Sequence, residues 1–328
     1  MKKIIAFIML TLLLTACTTE KSKETEQDGK LEKVQFVLDW TPNTNHTGLY
    51  IAKEQGFFEE EGLDVDIMLP GEAGADQLVA AGKAQFGISA QESITEARVQ
   101  DIPIVSISTI LQHNTSGFAS LKKDGIESPK DYEGKTYGGW GAPVEEAIIS
   151  SLMEPENADV KKVEFINMGN SDFFTALERD IDFAWIYYAW TGVEAELRGI
   201  DLNMQYLNDY TKKLDYYTPV FITNEKMISE NPETVRAFVK AISRGYEFAI
   251  DKPDEAAAIF SKAVPDLDEE LVKASQQWIS PKYKEDADQW GEQKLEVWKD
   301  YADWMNENSL LEGEFIPEDA FTNEFLPK

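Results

Sequence analysis

Cysteine and histidine are scarce in this chain of 328 residues, which contains one cysteine, Cys17, and two histidines, His46 and His113. A single thiol cannot form an internal disulfide, even in a compartment that permits one. Neither histidine has a cysteine or a clear metal-ligand spacing around it, so the sequence predicts no metal site. His113 is more typical of a capping or surface group than of a ligand.

Basic residues are also few, with 31 Lys and Arg against 60 Asp and Glu and a formal net charge of −29. An acidic excess of this size argues against nucleic acid and against an anionic membrane surface as partners. We attribute the charge to solubility outside the cell. With 43% hydrophobic residues, eight Trp and seventeen Phe, the chain has ample core material, and its length suits two lobes better than one.

The first residues predict export. Met1–Lys3 is basic and Ile4–Leu14 is an uncharged, mostly apolar run. This run is shorter than the roughly 20 residues that cross a bilayer, so it is typical of a secretory signal and not of a membrane span. The following Leu-Thr-Ala-Cys, which ends at Cys17, resembles the bacterial lipobox, in which the cysteine after the cleavage point carries a lipid. The alternative is an ordinary secreted protein with a chance cysteine near its cleavage site.

These features define the predicted N-terminal organisation. Residues 1–16 form the signal, and their removal takes away two lysines and leaves a formal charge of −31. Residues 17–33 form a lipidated tether that begins at Cys17. Its segment Thr18–Lys30 has no apolar residue to bury, so it should be flexible.

Strands and helices alternate along the rest of the chain. An apolar run at 34–39 predicts a strand, helical spacing follows at 47–58, and 63–69 alternates as a second strand. Residues 71–89 are typical of a loop, a helix and a third strand, and two further strands follow. Such alternation predicts an α/β fold, with parallel sheets covered by helices on both faces.

A second cycle begins near Gly134 and echoes the first. "LVAAGKAQFGIS" and "FTALERDIDFAWIY" each combine a helix end, a turn, and an aromatic residue followed by Gly or Ala in a buried strand. We infer two similar α/β lobes, with chance similarity as the alternative. Lobe 1 comprises residues 34–116 and 219–328, and lobe 2 comprises residues 117–218.

The last hundred residues are predicted to be mainly helical and to pack on lobe 1. "NPETVRAFVKAI" starts at an Asn-Pro pair typical of a helix entrance. Four tryptophans at spacings that suit helices on a core are assigned to structure: Trp278, Trp290, Trp298 and Trp304.

Ligands of such sheets bind beyond the carboxyl ends of the parallel strands, which selects five segments. They are "DWTPNTNH", "GEAGA", "SAQES", "GGWGAP" and "WIYYAW". None contains the Lys or Arg that a phosphate, sulfonate or carboxylate ligand would need. They contain carboxylates and aromatic rings instead: Asp39, Glu72, Glu92, Trp40, Trp140, Tyr187, Tyr188 and Trp190. Flat rings with acidic acceptors favour a planar, amine-bearing heterocycle such as an aminopyrimidine, and a sugar fits less well.

Four stretches carry a resemblance to a known family: "LDWTPNTNHTGLYIAKEQGFFEEEGLDV", "GKAQFGISAQES", "YGGWGAPVEEA" and "NPETVRAFVKAI". They resemble the thiamine-precursor branch of the NMT1-type solute-binding family. The resemblance implies a type II periplasmic-binding-protein fold, in which two α/β lobes are joined by two crossover strands. It also implies a monomeric lipoprotein without a cofactor, which captures formylaminopyrimidine or a related pyrimidine and delivers it to the permease subunits of an ABC importer for thiamine salvage.

The resemblance further implies which residues hold the pyrimidine. Trp40 would supply one stacking face, and Asp39 would accept from the exocyclic amine. Asn43 and His46 would line the same wall, and Trp140 would lie at the rim in a glycine-rich loop.

Several residues stay open on local pattern alone. Tyr187 and Tyr188 alternate along a strand, so only one should face the cleft, and we prefer Tyr188. Glu145 either lines the cleft rim or complements a helix dipole. Trp185 and Trp190 are assigned to the core in preference to the site.

The same family contains enzymes that make the pyrimidine from pyridoxal phosphate and one of their own histidines, which supplies an enzymatic alternative. The resemblance implies a cofactor-binding lysine and a consumed histidine at the positions of Ser89 and Ser93, together with a cysteine-rich stretch. All three are missing here, so we expect a binding protein. A binder of another aromatic or sulfonated nutrient is the second alternative.

Overall fold

The computed structural model describes residues 31–169 and 171–328, so the predicted signal, the predicted lipidation site at Cys17 and most of the predicted tether lie outside the described residues. The strands are β1 (Glu32–Val37), β2 (Leu63–Met68), β3 (Phe86–Ser89), β4 (Ile104–Thr109), β5 (Ser116–Leu121), β6 (Thr136–Gly139), β7 (Glu164–Asn167), β8 (Phe183–Tyr187), β9 (Leu202–Tyr206) and β10 (Val220–Asn224). The α-helices are α1 (Thr47–Glu54), α2 (Phe57–Glu60), α3 (Gly74–Ala80), α4 (Gln91–Val99), α5 (Pro143–Met153), α6 (Phe173–Arg179), α7 (Val193–Leu197), α8 (Leu207–Tyr210), α9 (Glu225–Glu230), α10 (Pro232–Asp251), α11 (Pro253–Ala263), α12 (Glu269–Ile279) and α13 (Leu295–Glu307). Among the described helices, none has the length and apolar character needed to span a bilayer.

The first sheet has the strand order β2-β1-β3-β10-β4. β1 runs parallel to β2 and β3, whereas β10 is antiparallel to both of its neighbours. β3 and β4 are buried at every residue, as is typical of strands covered on both faces. The carboxyl ends of β1, β2 and β3 therefore share one edge of this sheet.

Two boundaries differ from the sequence prediction. β1 begins at Glu32, so the last residues assigned to the tether belong to the sheet, where Glu32 pairs with Leu63. The predicted helix at 47–58 is interrupted at Gly56, whose φ of 74° is left-handed and ends the helical path between α1 and α2.

The second sheet repeats the order of the first, as β7-β6-β8-β5-β9. β6 is parallel to β7 and β8, and β5 is antiparallel to β8 and β9. β3 and β8 occupy equivalent central positions, and each follows an equivalent helix, α3 or α6. The internal echo predicted from the sequence is therefore confirmed, as is the α/β fold class.

Two connections join the sheets. Residues 110–115 lead from β4 of the first sheet to β5 of the second, and residues 215–219 lead back to β10. β5, which follows the first connection, belongs to the second sheet, and β10, which follows the second connection, belongs to the first sheet.

The C-terminal helices contact both lobes. Phe238 of α10 stacks on Phe86 of β3, with ring centroids 4.0 Å apart, which anchors this region on the first sheet as expected. α13 departs from that arrangement, because Tyr301 and Trp304 are buried in the core of the second sheet.

The predicted structural role of the C-terminal tryptophans is confirmed for Trp290, Trp298 and Trp304, which are buried. Trp278 is half-buried, and its ring lies 5.1 Å from that of Tyr188.

Candidate functional site

Three carboxylates from lobe 1 lie at the carboxyl-end edge of the first sheet. Asp39 follows β1, Asp76 lies in the first turn of α3, and Glu92 lies in the first turn of α4. Burial raises the pKa of Asp76, the nearby Ser89 side chain opposes this rise, and the charge of Asp39 adds to it. Burial also raises the pKa of Glu92 to about 7, with Glu96 and Asp76 adding to the effect. We call Asp39, Asp76 and Glu92 the acidic wall.

Polar atoms of this wall lack partners. Asp76 Oδ1, Ser89 Oγ and Glu92 Oε2 are buried and accept or donate no hydrogen bond within the described part of the chain. Neither Asp76 nor Glu92 forms an ion pair with a described Lys, Arg or His. An unpaired buried polar atom costs about 1–3 kcal/mol, so a cluster of them indicates a place where ligand groups bind.

Asp39 is held by a histidine. His46 is 0% exposed, and its Nε2 lies 2.8 Å from Asp39 Oδ1. The other ring nitrogen, Nδ1, accepts from the backbone N–H of Asn43 at 3.2 Å. The ring therefore carries its proton on Nε2 and donates it to Asp39. Contrary to the sequence expectation, His46 does not line the wall, because it is wholly buried behind Asp39.

Asn43 serves the same loop. Its Oδ1 accepts from the backbone N–H of Asn45 at 3.0 Å, and its Nδ2 donates to Thr41 O at 3.1 Å. These bonds cap the short turn Thr44–His46. The amide predicted to contact ligand is thus committed to shaping the loop that carries Asp39.

Trp40 presents an open aromatic face. It follows Asp39 directly and is 64% exposed. Trp40 has no stacking partner among the described aromatic side chains. An exposed indole beside a carboxylate could stack on a flat ligand, so the stacking role of Trp40 stays a prediction.

Tyr187 faces the acidic wall from lobe 2. Phe183, Trp185 and Tyr187 share one face of β8 because strand side chains alternate. Burial raises the pKa of the Tyr187 hydroxyl, and the charges of Glu92 and Asp39 add to this effect, while a hydrogen bond with Thr218 opposes it. The hydroxyl therefore lies close to carboxylates of the other lobe.

The preference for Tyr188 is not supported by its contacts. Its hydroxyl donates to Glu196, and its ring lies 5.1 Å from Trp278 and 5.8 Å from Tyr206. Tyr188 does not continue the alternation of β8, because it begins a π-helical turn, Tyr188–Gly192. Of the two tyrosines, only Tyr187 has a hydroxyl whose pKa is raised by the charges of Glu92 and Asp39.

Glu145 is a structural residue of the glycine-rich loop. It is 2% exposed, and its carboxylate accepts from Tyr137 Oη at 2.6 Å and from three consecutive backbone N–H groups, those of Trp140, Gly141 and Ala142. A Cβ at Gly139 would overlap this carboxylate, so glycine is needed there. Glu145 has no free oxygen for a ligand, which removes it from the predicted rim contacts.

The loop held by Glu145 presents Trp140. This side chain is 52% exposed, and its ring lies 5.2 Å from that of Trp185 at an interplanar angle of 34°. Trp185 is half-buried, and its buried Nε1 donates no hydrogen bond within the described residues. Trp190 packs with Phe260 and lies apart from this pair.

Two further tyrosines, which the sequence did not reveal, are affected by the charge of Glu92. Tyr216, on the second connection, and Tyr301, on α13, are 0% exposed, and their rings lie 4.2 Å apart. Burial raises the pKa of both hydroxyls well above its usual value, and Glu92 adds to the effect. Neither hydroxyl forms a hydrogen bond within the described part of the chain. No local pattern could have placed them here, since they come from segments more than 100 residues away from Glu92.

Comparisons with known proteins agree with this architecture. Residues 43–256 match the family described as NMT1/THI5 like. The chain is 30% identical to a formylaminopyrimidine-binding protein of Halalkalibacterium halodurans, over 98% of each protein. It is 26% identical to a 4-amino-5-hydroxymethyl-2-methylpyrimidine phosphate synthase of Candida albicans, over 90% of this chain and 88% of the relative. Its structure resembles the periplasmic aliphatic sulphonate binding protein SsuA of Escherichia coli, with a TM-score of 0.69 at 13% identity, over 90% of this chain and 99% of the other. The chain therefore belongs to the NMT1/THI5 like family and has the fold of the periplasmic binding proteins.

Proposed function

We propose that the protein is the substrate-binding component of an ABC importer and captures a thiamine pyrimidine precursor, formylaminopyrimidine or a related aminopyrimidine. The observation that carries the proposal is the acidic wall, in which Asp76 and Glu92 each have a buried oxygen without a partner in the described part of the chain and Asp39 is followed by the exposed indole of Trp40. Carboxylates accept hydrogen bonds from an exocyclic amine, and exposed indoles stack on a planar ring. The name of the Halalkalibacterium halodurans relative points to the same ligand.

The charge of the site favours this ligand over an anion. A sulfonate or phosphate would require Lys, Arg or free backbone N–H groups beside the carboxylates. In the described residues no cation pairs with Asp76 or Glu92, and the three consecutive N–H groups of the glycine-rich loop are bound to Glu145. Asp39, Asp76 and Glu92 would repel an anionic ligand.

We further propose that the protein binds its ligand and catalyses no reaction. The position for which the resemblance implies a cofactor-binding lysine is Ser89, a hydroxyl that cannot form a Schiff base. A synthase of the kind named among the relatives would need another lysine at the acidic wall. The predicted lipid anchor at Cys17 would hold the protein at the outer face of the cell membrane, where closure of two lobes over the ligand would present it to permease subunits.

The first experiment is a thermal-shift screen of the purified mature protein. We expect formylaminopyrimidine or a related aminopyrimidine to raise the melting temperature, because a ligand that binds only the folded state stabilises it. Taurine, nitrate and a riboflavin-like ring should leave it unchanged. Stabilisation by taurine alone would favour a sulfonate binder, and an absorbance band formed with pyridoxal phosphate would favour the synthase.

Trp40→Ala tests the stacking face. We expect the loss of about 2 kcal/mol of binding free energy, or roughly 30-fold in Kd, because the ligand ring loses a large apolar contact. Titration calorimetry measures this change. Ile316→Ala, which truncates another exposed apolar side chain, is the control and should bind as the wild type does. Unchanged affinity in Trp40→Ala would exclude Trp40 from the site.

A further inference from the structure

Glu92 is the member of the acidic wall with the most unusual surroundings. Its Oε2 is buried and has no hydrogen-bond partner in the described part of the chain, as is also true of Asp76 Oδ1 and Ser89 Oγ. The charges of Glu96 on its own helix and of Asp76 on α3 raise its pKa, and its own charge raises that of the Tyr187 hydroxyl on β8. Tyr216 and Tyr301 approach it from the second connection and from α13. Among these described neighbours there are carboxylates and neutral hydroxyls but no Lys, Arg or His. The negative form of Glu92 therefore has no stabilising cation, and only a hydrogen bond from its own backbone N–H opposes the rise of its pKa.

The hydrogen-bond donors and acceptors of a carboxyl group restrict how Glu92 can bind an aminopyrimidine. One edge of the ring offers a nitrogen that accepts a hydrogen bond and, beside it, an amine that donates one. An ionised carboxylate has acceptors only, so one of its oxygens would oppose the lone pair of the ring nitrogen. A neutral carboxyl group matches both positions, because its O–H donates to the nitrogen and its C=O accepts from the amine. The carboxyl group and this edge of the ring are therefore complementary only when they share one proton.

We propose that Glu92 binds the ligand through a shared proton, which lies between its carboxyl group and a ring nitrogen of the aminopyrimidine. This inference rests on the proposed function and deepens it, since it names the ring edge that is recognised and makes recognition depend on pH. If Glu92 is protonated in the unliganded protein, Glu92 supplies this proton. If Glu92 is ionised, the proton comes from solvent. Asp39, which accepts from His46, is positioned to accept from another donor of the ligand.

The pKa of Glu92, raised to about 7 by burial, fixes the direction of the effect. Below about pH 7 the free protein already carries the proton, so affinity is constant while the ligand stays neutral. Above pH 7 each bound ligand must take up a proton from solvent. The dissociation constant then rises about tenfold for each pH unit, or roughly 100-fold between pH 7 and pH 9.

Glu92→Gln separates this mechanism from a simple acceptor role. A glutamine side chain has one donor and one acceptor, and it forms a bidentate pair with the corresponding edge of adenine. The variant therefore imitates the protonated carboxyl group at every pH. We expect it to bind formylaminopyrimidine with the affinity that the wild type has at pH 6, without a pH slope, and to bind roughly 100-fold more tightly than the wild type at pH 9.

Calorimetry in two buffers of different ionisation enthalpy provides a second readout. The wild type should take up close to one proton per ligand at pH 9 and close to none at pH 6, whereas Glu92→Gln should take up none at either pH. Glu72→Gln changes an exposed carboxylate of a neighbouring loop and should retain the wild-type slope.

Each other outcome overturns the inference in a distinguishable way. Wild-type binding that is independent of pH, or weak binding by Glu92→Gln at every pH, would mean that the ionised carboxylate is the bound form. If Asp76→Asn loses the pH dependence of binding and Glu92→Gln retains it, the residue that shares the proton is Asp76 and not Glu92. Failure of the wild type to bind any aminopyrimidine between pH 6 and pH 9 would overturn the proposed function as well.

Discussion

Asp39 and His46 illustrate how a binding group and its support differ at the scale of single residues. Both lie in the same short motif, but Asp39 is about one-third exposed at its side chain and His46 has no exposed surface. His46 accepts from Asn43 through one ring nitrogen and donates to Asp39 through the other, which fixes both the tautomer and the carboxylate. The histidine therefore positions Asp39, and only the aspartate is available to ligand.

His46→Gln tests this division of roles. We expect about tenfold weaker binding of the aminopyrimidine, because the Asp39 carboxylate loses its hydrogen-bond donor and becomes mobile. In an Asp39→Asn background the same change should cause little further loss, since the group that His46 positions is already altered. A double-mutant cycle by calorimetry measures the coupling. Additive losses would indicate that His46 acts on the ligand independently of Asp39.

The loop between β6 and α5 shows how an element is built around one side chain. Glu145 lies in the first turn of α5 and reaches back to bind three successive N–H groups of the loop and the hydroxyl of Tyr137. These bonds close the loop over the carboxylate and direct Trp140 outward. The position of an aromatic side chain at the candidate site thus depends on a buried carboxylate that never meets the ligand.

Glu145→Gln should destabilise this element. The amide keeps one acceptor oxygen and places an N–H₂ group among donors, so we expect a loss of about 2–3 kcal/mol in the free energy of unfolding. Chemical denaturation measures this loss, and binding should weaken in parallel as Trp140 becomes mobile. Glu146→Gln, at the next and exposed position, is the matched control and should change neither quantity. Equal stability of the two variants would contradict the structural role of Glu145.

At the scale of the whole molecule, His113 links the two connections between the sheets. It lies on the first connection, and its Nδ1 is 2.7 Å from Asp215 Oδ2 on the second. Its Nε2 is 3.1 Å from Asp286 Oδ1 in the C-terminal region. The hydrogen bond with Asp215 is the main cause that raises the pKa of His113 to about 9, against the opposing effect of burial. The charged imidazole therefore ties three segments together near neutral pH.

This linkage predicts a specific pH dependence of stability. The pKa of His113 is higher in the folded state than its usual 6.5, so its stabilising effect is complete below about pH 6.5 and is lost as the pH rises through 9. Since the ring is partly exposed, we expect on the order of 1 kcal/mol across this window. Unfolding should be measured between pH 7.5 and pH 9.5, above the range in which Glu92 titrates. His113→Gln should flatten this part of the profile. A profile unchanged by the substitution would contradict the linkage.

The sequence by itself determined the strands, the repeated helix-strand unit and the edge at which polar side chains collect. These features follow from local periodicity, because burial on a strand or helix face imposes a pattern within a few residues. Asp39, Trp40 and Trp140 were predicted in this way, and the structure shows that each follows the carboxyl end of a strand.

Only the tertiary structure decided which side chains converge on the site. Tyr187 faces the carboxylates because β8 ends there and a π-helical turn takes Tyr188 elsewhere, and His46 and Glu145 are withdrawn from ligand by hydrogen bonds to their own loops. Tyr216 and Tyr301 reach Glu92 from a connection and a helix far along the chain. Contacts between such distant segments depend on how the lobes pack, which no short pattern encodes. The physical reason is that periodicity reports whether a side chain is buried, whereas its partner is set by the packing of the whole molecule.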